Sequence, residues 1–184
     1  KVTYASDTTA AVPGANLSIG RKRLAATGNF THGYFGGGEP GPVSTMDKVT
    51  YASDTTAAVP GANLSVGRRY VAASSARANG LPVTEPPAAT PTSQTFDIPA
   101  PAPNTGYFGG GVGPLSTMDK LSYADDTTAA VPGAALSVAR PFLAATGNFT
   151  HGYFGGGETF STMDKVTYAD DTTAAVPGAN LSVA

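Results

Sequence analysis

Residues 140–182 read RPFLAATGNFTHGYFGGGETFSTMDKVTYADDTTAAVPGANLS, and the rest of the chain restates this stretch. It occurs upstream, with small changes, at residues 21–65. It occurs again, interrupted, at residues 68–137, and its back half stands alone at residues 1–18. Self-similarity at a fixed spacing is the sequence mark of a repeat architecture, in which each unit buries its apolar face only by stacking on a neighbour.

Within the unit, Thr162 to Tyr168 alternates strictly. Thr162, Asp164, Val166 and Tyr168 fall on one side, and Met163, Lys165 and Thr167 on the other. Period two with β-branched and aromatic residues predicts a strand. Before it lie a short run of small apolar residues closed by Gly147-Asn148 and the aromatic pair Tyr153-Phe154 followed by three glycines. After it come an Asp-Asp turn and the weak strand TTAAV, ended by Pro177-Gly178. Breakers recur too often for a sustained helical period. The expectation is all-β, with four short antiparallel strands (A to D) in each unit of about 45 residues, the pattern of a propeller blade.

Composition narrows the function classes. The chain has 184 residues, 41% of them hydrophobic, and its 23 Gly and 15 Pro recur at fixed repeat positions as turn punctuation. A net charge of −2 without clustered Lys or Arg excludes a polyanion footprint, so no nucleic-acid partner is expected. The absence of cysteine removes disulfides, thiolate metal sites and a Cys nucleophile. No apolar run reaches the roughly 18 residues that would predict a membrane-spanning helix.

The unit resembles the kelch repeat: a leading Arg, a small apolar strand, an apolar-Gly-Gly stop, a strand ending in Tyr and a Thr-rich strand. The double glycine of that family corresponds to Gly36-Gly37, Gly109-Gly110 and Gly155-Gly156, and its Tyr to Tyr51, Tyr123 and Tyr168. The later Trp of the pattern is replaced near Ala57, Ala129 and Ala174. The wording of the repeat is also similar to arrays in virion proteins of marine phages. These resemblances imply a β-propeller-type array in a virion or extracellular setting, with about three and a half blades here. Residues 1–18 form a half blade, and residues 21–65, 68–137 and 140–182 form blades.

Lys1 and Lys48 are 47 positions apart, Lys120 and Lys165 are 45, but Lys48 and Lys120 are 72. The excess maps to residues 75–104, rich in Pro, Ala and Thr, and predicts an extended loop between strands A and B that folding does not need. Up-and-down strands put this insert on the same end as the Asp-Thr-Thr turns (Asp7, Asp54, Asp126, Asp171) and the slot of His32 and His151. These six residues are the candidate binding-face positions, since loops on a rigid scaffold commonly carry binding.

Each chemical motif has a structural competitor. GYFGGG lacks the Lys-Ser/Thr of a phosphate loop and the GxGxxG spacing, so Gly36, Gly109 and Gly155 are expected to serve close backbone approach. The Asp turns lack the alternating oxygen ligands of a calcium loop. Two histidines are one short of the usual zinc set. Asp47-Lys48, Asp119-Lys120 and Asp164-Lys165 point to opposite faces of a strand, so each charge needs a partner elsewhere, with pairing across blades expected. Asn16, Asn63 and Asn180 begin Asn-Leu-Ser, and Asn29 and Asn148 begin Asn-Phe-Thr. These acceptor patterns matter only in a eukaryotic secretory route.

The resulting expectation is a non-catalytic structural or interaction scaffold with no cofactor or metal, and with protein partners, copies of itself or the rest of a longer chain among them. A carbohydrate-binding propeller with glycan ligands is the alternative. C–D pairs start at Lys1, Asp47, Asp119 and Asp164, but A–B pairs only at Arg21, Arg68 and Arg140. These 184 residues are therefore expected not to close a ring alone, but to be part of a longer array or a subunit completed by neighbouring chains.

Overall fold

The alternating C strand does become the backbone of each unit. A computed structural model describes residues 1–3, 8–76 and 104–182. A two-stranded hairpin, β1 (Val2–Thr3) and β2 (Thr8–Thr9), precedes three four-stranded antiparallel sheets. The first sheet holds β3 (Ala25–Gly28), β4 (His32–Gly36), β5 (Met46–Thr50) and β6 (Thr55–Ala58). The second holds β7 (Ala72–Ser75), β8 (Thr105–Gly109), β9 (Met118–Ser122) and β10 (Thr127–Ala130). The third holds β11 (Ala144–Gly147), β12 (His151–Gly155), β13 (Met163–Thr167) and β14 (Thr172–Ala175). Each sheet runs in simple sequence order, so the chain is an all-β, propeller-type repeat array.

Registers repeat from sheet to sheet. Tyr34 faces Lys48, Tyr107 faces Lys120 and Tyr153 faces Lys165 across the B and C strands. The C–D turns place Asp54, Asp126 and Asp171 at φ of 53°, 56° and 55°, a left-handed geometry that Asp tolerates better than most residues. After each D strand, Pro-Gly-Ala forms one 3-10 turn: Pro13–Ala15, Pro60–Ala62, Pro132–Ala134 and Pro177–Ala179. Proline opens each turn, where its missing N–H costs nothing. These are the only helical residues among those described.

Sheets stack face to face along the chain. The A strands β3, β7 and β11 are neighbours from sheet to sheet: Thr27 Oγ1 donates to Ser74 O (3.2 Å) and Ser74 Oγ donates to Thr146 O (2.9 Å). The core therefore lies between sheets rather than within one. One layer joins Ala25, Tyr34, Met46, Ala62 and Leu64 to Val71, Phe108, Leu121 and Tyr123. The next repeats it one unit on, joining Ala72, Tyr107, Met118, Ala134 and Leu136 to Leu143, Phe154, Val166 and Tyr168. The two layers correspond position by position along the repeat.

Gly36 and Gly109 belong to these layers. A Cβ on Gly36 would lie 2.8 Å from Met46 Cε and 3.0 Å from Phe108 Cε1, and one on Gly109 would lie 2.7 Å from Met118 Cε. Among the described residues Gly155 meets only Met163, its Cε at 2.5 Å. Close approach rather than positive φ governs these three. The left-handed positions are the glycines that follow them.

The insert begins later than the repeat spacing implied. Ser75 is not a loop residue: it ends β7, pairs with Gly106, and its Oγ donates to Gly28 O (2.9 Å). Its carbonyl accepts from Tyr168 (3.2 Å), Ala76 is fully buried and donates to Thr105 O, and Asn104 O accepts from Tyr123 N. The rest of the predicted loop, residues 77–103, lies outside the described residues. Replacing residues 77–103 with a short turn is expected to leave the melting temperature nearly unchanged, because β3 and β4 are joined by only Asn29, Phe30 and Thr31. Replacing residues 75–104 should lower it, and equal behaviour of the two variants would refute this boundary.

Candidate functional site

The seams between sheets collect most of the singled-out residues. At the first seam, Lys48 Nζ reaches Asp126 Oδ2 at 2.6 Å, and the Tyr34 hydroxyl donates to Asp126 Oδ1. At the second, Lys120 Nζ lies 2.9 Å from both Asp171 oxygens, and Tyr107 donates to Asp171 Oδ1. Lys1 and Asp54 form the corresponding pair, more exposed, at 2.6 Å. The turn carboxylate of one unit thus pins the lysine and tyrosine of the unit before it. Asp7 lies outside the described residues.

Two further contacts complete each seam. Tyr123 stacks on Tyr34 (5.1 Å between ring centres), and Tyr168 stacks on Tyr107 (5.0 Å). Thr128 Oγ1 donates to Ala62 O at 2.7 Å, and Thr173 Oγ1 to Ala134 O at 2.6 Å. Burial would raise the Asp126 carboxyl, but hydrogen bonds from Lys48 and Tyr34 outweigh it and hold the carboxyl below its usual range. Burial first, then the Asp126 and Asp171 acceptors, push the Tyr34 and Tyr107 hydroxyls far up. Burial pushes Tyr168 up to about 12. The three tyrosine hydroxyls therefore hold their protons tightly, while the Asp126 carboxylate accepts from Lys48 and Tyr34.

The histidines build turns. His32 Nδ1 and His151 Nδ1 each lie 2.8 Å from the hydroxyl of the preceding Thr, and the Asn29 and Asn148 side-chain oxygens accept from the His32 and His151 backbone N–H groups. Burial and then the Lys48 charge lower the His32 pKa. Asn63 and Asn180 are also structural, accepting from the Met46 and Met163 N–H groups. His32 is brought near Asp126, while His151 shares its sheet with Tyr153 and Lys165 and meets no turn Asp among the described residues.

The sequence reading missed three buried ion pairs. Arg21–Asp47, Arg68–Asp119 and Arg140–Asp164 each close at 2.9 Å with both side chains almost fully buried. Each lies within one unit, so these Asp residues do not pair across blades as expected. Lys48 and Lys120 do. Ser18, Ser65 and Ser137 N–H groups, which end the preceding unit, donate to Asp47, Asp119 and Asp164. The central pair is the best satisfied: Ser65 Oγ donates to Asp119 Oδ1, and Arg68 reaches Thr117 O and Gly110 O. Asp47 Oδ1 and Asp164 Oδ1 have no hydrogen-bond partner among the described residues.

A second unforeseen feature lies two residues after each of these arginines. Arg23, Tyr70 and Phe142 all have φ near 60° and form a row: Tyr70 N donates to Arg23 O, and Phe142 N to Tyr70 O. The Arg23 guanidinium lies 4.4 Å from the Tyr70 ring centre, and Tyr70 and Phe142 rings are 4.1 Å apart. Glu39 anchors the row with contacts to Arg23, Arg69 and Lys22. The Arg23 and then the Lys22 contacts outweigh its burial and hold its carboxyl low.

Acid–base chemistry needs a carboxylate and a proton donor converging on open space. Here carboxylate, lysine and tyrosine converge on each other. Among the described residues, no group of three or more His, Cys, Asp or Glu could hold a metal ion, and no helix is long and apolar enough to cross a membrane. No family model and no curated protein matches the chain.

Proposed function

We propose that the protein is a non-catalytic scaffold, a kelch-like array serving structure or protein interaction within a larger assembly such as a virion or extracellular appendage. The observation that carries this reading is the fate of the reactive side chains. Asp126, Asp171, Lys48, Lys120, Tyr34 and Tyr107 are each committed to holding one sheet on the next. The similarity of the repeat to virion arrays supports the setting.

A carbohydrate-binding role is the second reading, favoured by Phe30 and Phe149, which are exposed on the A–B turns beside His32 and His151. A cleft lined by Asn29, Phe30, Thr31, His32, Asn104 and Tyr123 lies there. A glycan array separates the two. The scaffold reading expects no saturable binding. Binding that is lost in Phe30→Ala and Phe149→Ala would replace it with the lectin reading.

A further inference from the structure

Four of the chain's eight tyrosines form one connected line through the two seams. Tyr34 stacks on Tyr123 with the ring planes within 24° of parallel, and Tyr107 stacks on Tyr168 within 18°. Ser75 joins the two pairs. Its Oγ accepts from the Tyr123 hydroxyl and its carbonyl from the Tyr168 hydroxyl, each at 3.2 Å. All four side chains are 5% exposed or less.

The ends of this line differ from its middle. Tyr34 and Tyr107 donate to Asp126 and Asp171, carboxylates that Lys48 and Lys120 hold in place. Tyr123 shares a hydrogen bond with the Thr27 hydroxyl, and Tyr168 with that of Ser74. Neither of these two meets a carboxylate among the described residues. The difference decides where an electron can be lost. A phenol that gives up an electron becomes a strong acid, so the loss is favourable only where a base takes the proton at once. That base must lie within hydrogen-bond reach of the hydroxyl. Asp126 and Asp171 do, and their side chains are 27% and 31% exposed, so each acceptor borders water. The chain has neither Trp nor Cys to compete as electron donor.

We propose that the two seams are electron-donor sites that quench one-electron oxidants, with the oxidised centre settling on Tyr34 or Tyr107. The oxidant gains one electron. The phenol loses it, its O–H bond breaks, and the proton passes along the existing hydrogen bond to Asp126 or Asp171. The products are the reduced oxidant, a neutral tyrosyl radical and a protonated carboxyl, while the lysine stays an ammonium ion. Tyr123 and Tyr168, stacked on these rings and linked through Ser75, carry the electron between the seams. Burial keeps the radical from coupling with a second chain, a fate open to a radical on Tyr51, which is 46% exposed. This activity is independent of the scaffold reading.

Flash oxidation of the 184-residue chain by photogenerated ruthenium(III) tris(bipyridine), read by transient absorbance and electron paramagnetic resonance, tests this. The wild type should give a long-lived neutral tyrosyl signal that forms more slowly in heavy water. Its rate of formation should be flat between about pH 6 and 8, where an Asp acceptor stays ionised. Replacing both acceptors, Asp126→Asn with Asp171→Asn, should slow formation at least about 10-fold, because a positioned base is gone, and should make it depend on buffer concentration. Tyr34→Phe with Tyr107→Phe should remove the long-lived signal, whereas Tyr51→Phe with Tyr153→Phe should leave it. Circular dichroism melts check that the variants fold, and the heavy-water comparison needs no variant at all. The proposal is overturned by a wild type without a long-lived signal or without a solvent isotope effect. It is equally overturned by a signal that survives Tyr34→Phe with Tyr107→Phe, or by acceptor variants that match the wild type.

Discussion

Arg68→Met should destabilise the protein by about 3–5 kcal/mol, the usual cost of removing one partner of a buried ion pair. Arg68 and Asp119 are both 0% exposed, so the substitution leaves a carboxylate with no solvent to replace its partner. It also strips donors from Gly110 O and Thr117 O at the end of the B strand and the entry to the C strand. For a domain of this size each kcal/mol moves the melting temperature by about 2–4 °C, so a fall of roughly 10 °C is expected. Adding Asp119→Leu should recover part of the loss, because an apolar pair pays no desolvation cost. Urea unfolding gives both numbers. A loss under about 1 kcal/mol for the single variant would mean the pair is solvated and the core is not as tight as described.

The second large effect is expected at Gly110, where Gly110→Val should cost at least about 2 kcal/mol from left-handed strain and overpacking together. Its φ is +72°, and a Cβ there would run into the Leu143 side chain and lie 2.8 Å from Arg140 O. The obstacle includes backbone of the next unit, which cannot rotate away as the Met118 side chain can at Gly109. Gly113→Val is the control: φ is positive there too, at +99°, but a Cβ meets nothing within 4 Å among the described residues. Thermal melts of the two variants separate strain from collision, and equal losses would show that Gly110 makes no close approach to the third sheet.

The sequence shows the C strand, the glycine stop and the common end of the A–B and C–D turns because each depends on local chemistry: alternation, positive φ and strand direction. It does not show that Asp126 and Asp171 are interior fastenings, because a turn carboxylate looks like a free loop group until the neighbouring unit is placed against it. The buried arginines were hidden for another reason. A charged residue is a poor core candidate, so Arg21, Arg68 and Arg140 read as markers of repeat phase. One signal was present: these arginines recur unchanged while the next residue varies among Lys22, Arg69 and Pro141. A surface charge would have no reason to be more constant than its neighbour. Ser75 escaped because repeat arithmetic locates an insertion only to within the residues that differ, and hydrogen bonds to Gly28 and Tyr168 are long-range.

The interlocking of successive sheets is tested most directly by a double-mutant cycle on Tyr107→Phe and Asp171→Ala, read by urea unfolding. The two side chains belong to different sheets and meet only if the second and third sheets are fastened as described. A coupling energy of at least about 0.5 kcal/mol is predicted, within the range for residues sharing a hydrogen-bond network. Strictly additive losses would contradict the account, since they would mean that the tyrosine of one unit and the turn carboxylate of the next do not act on each other.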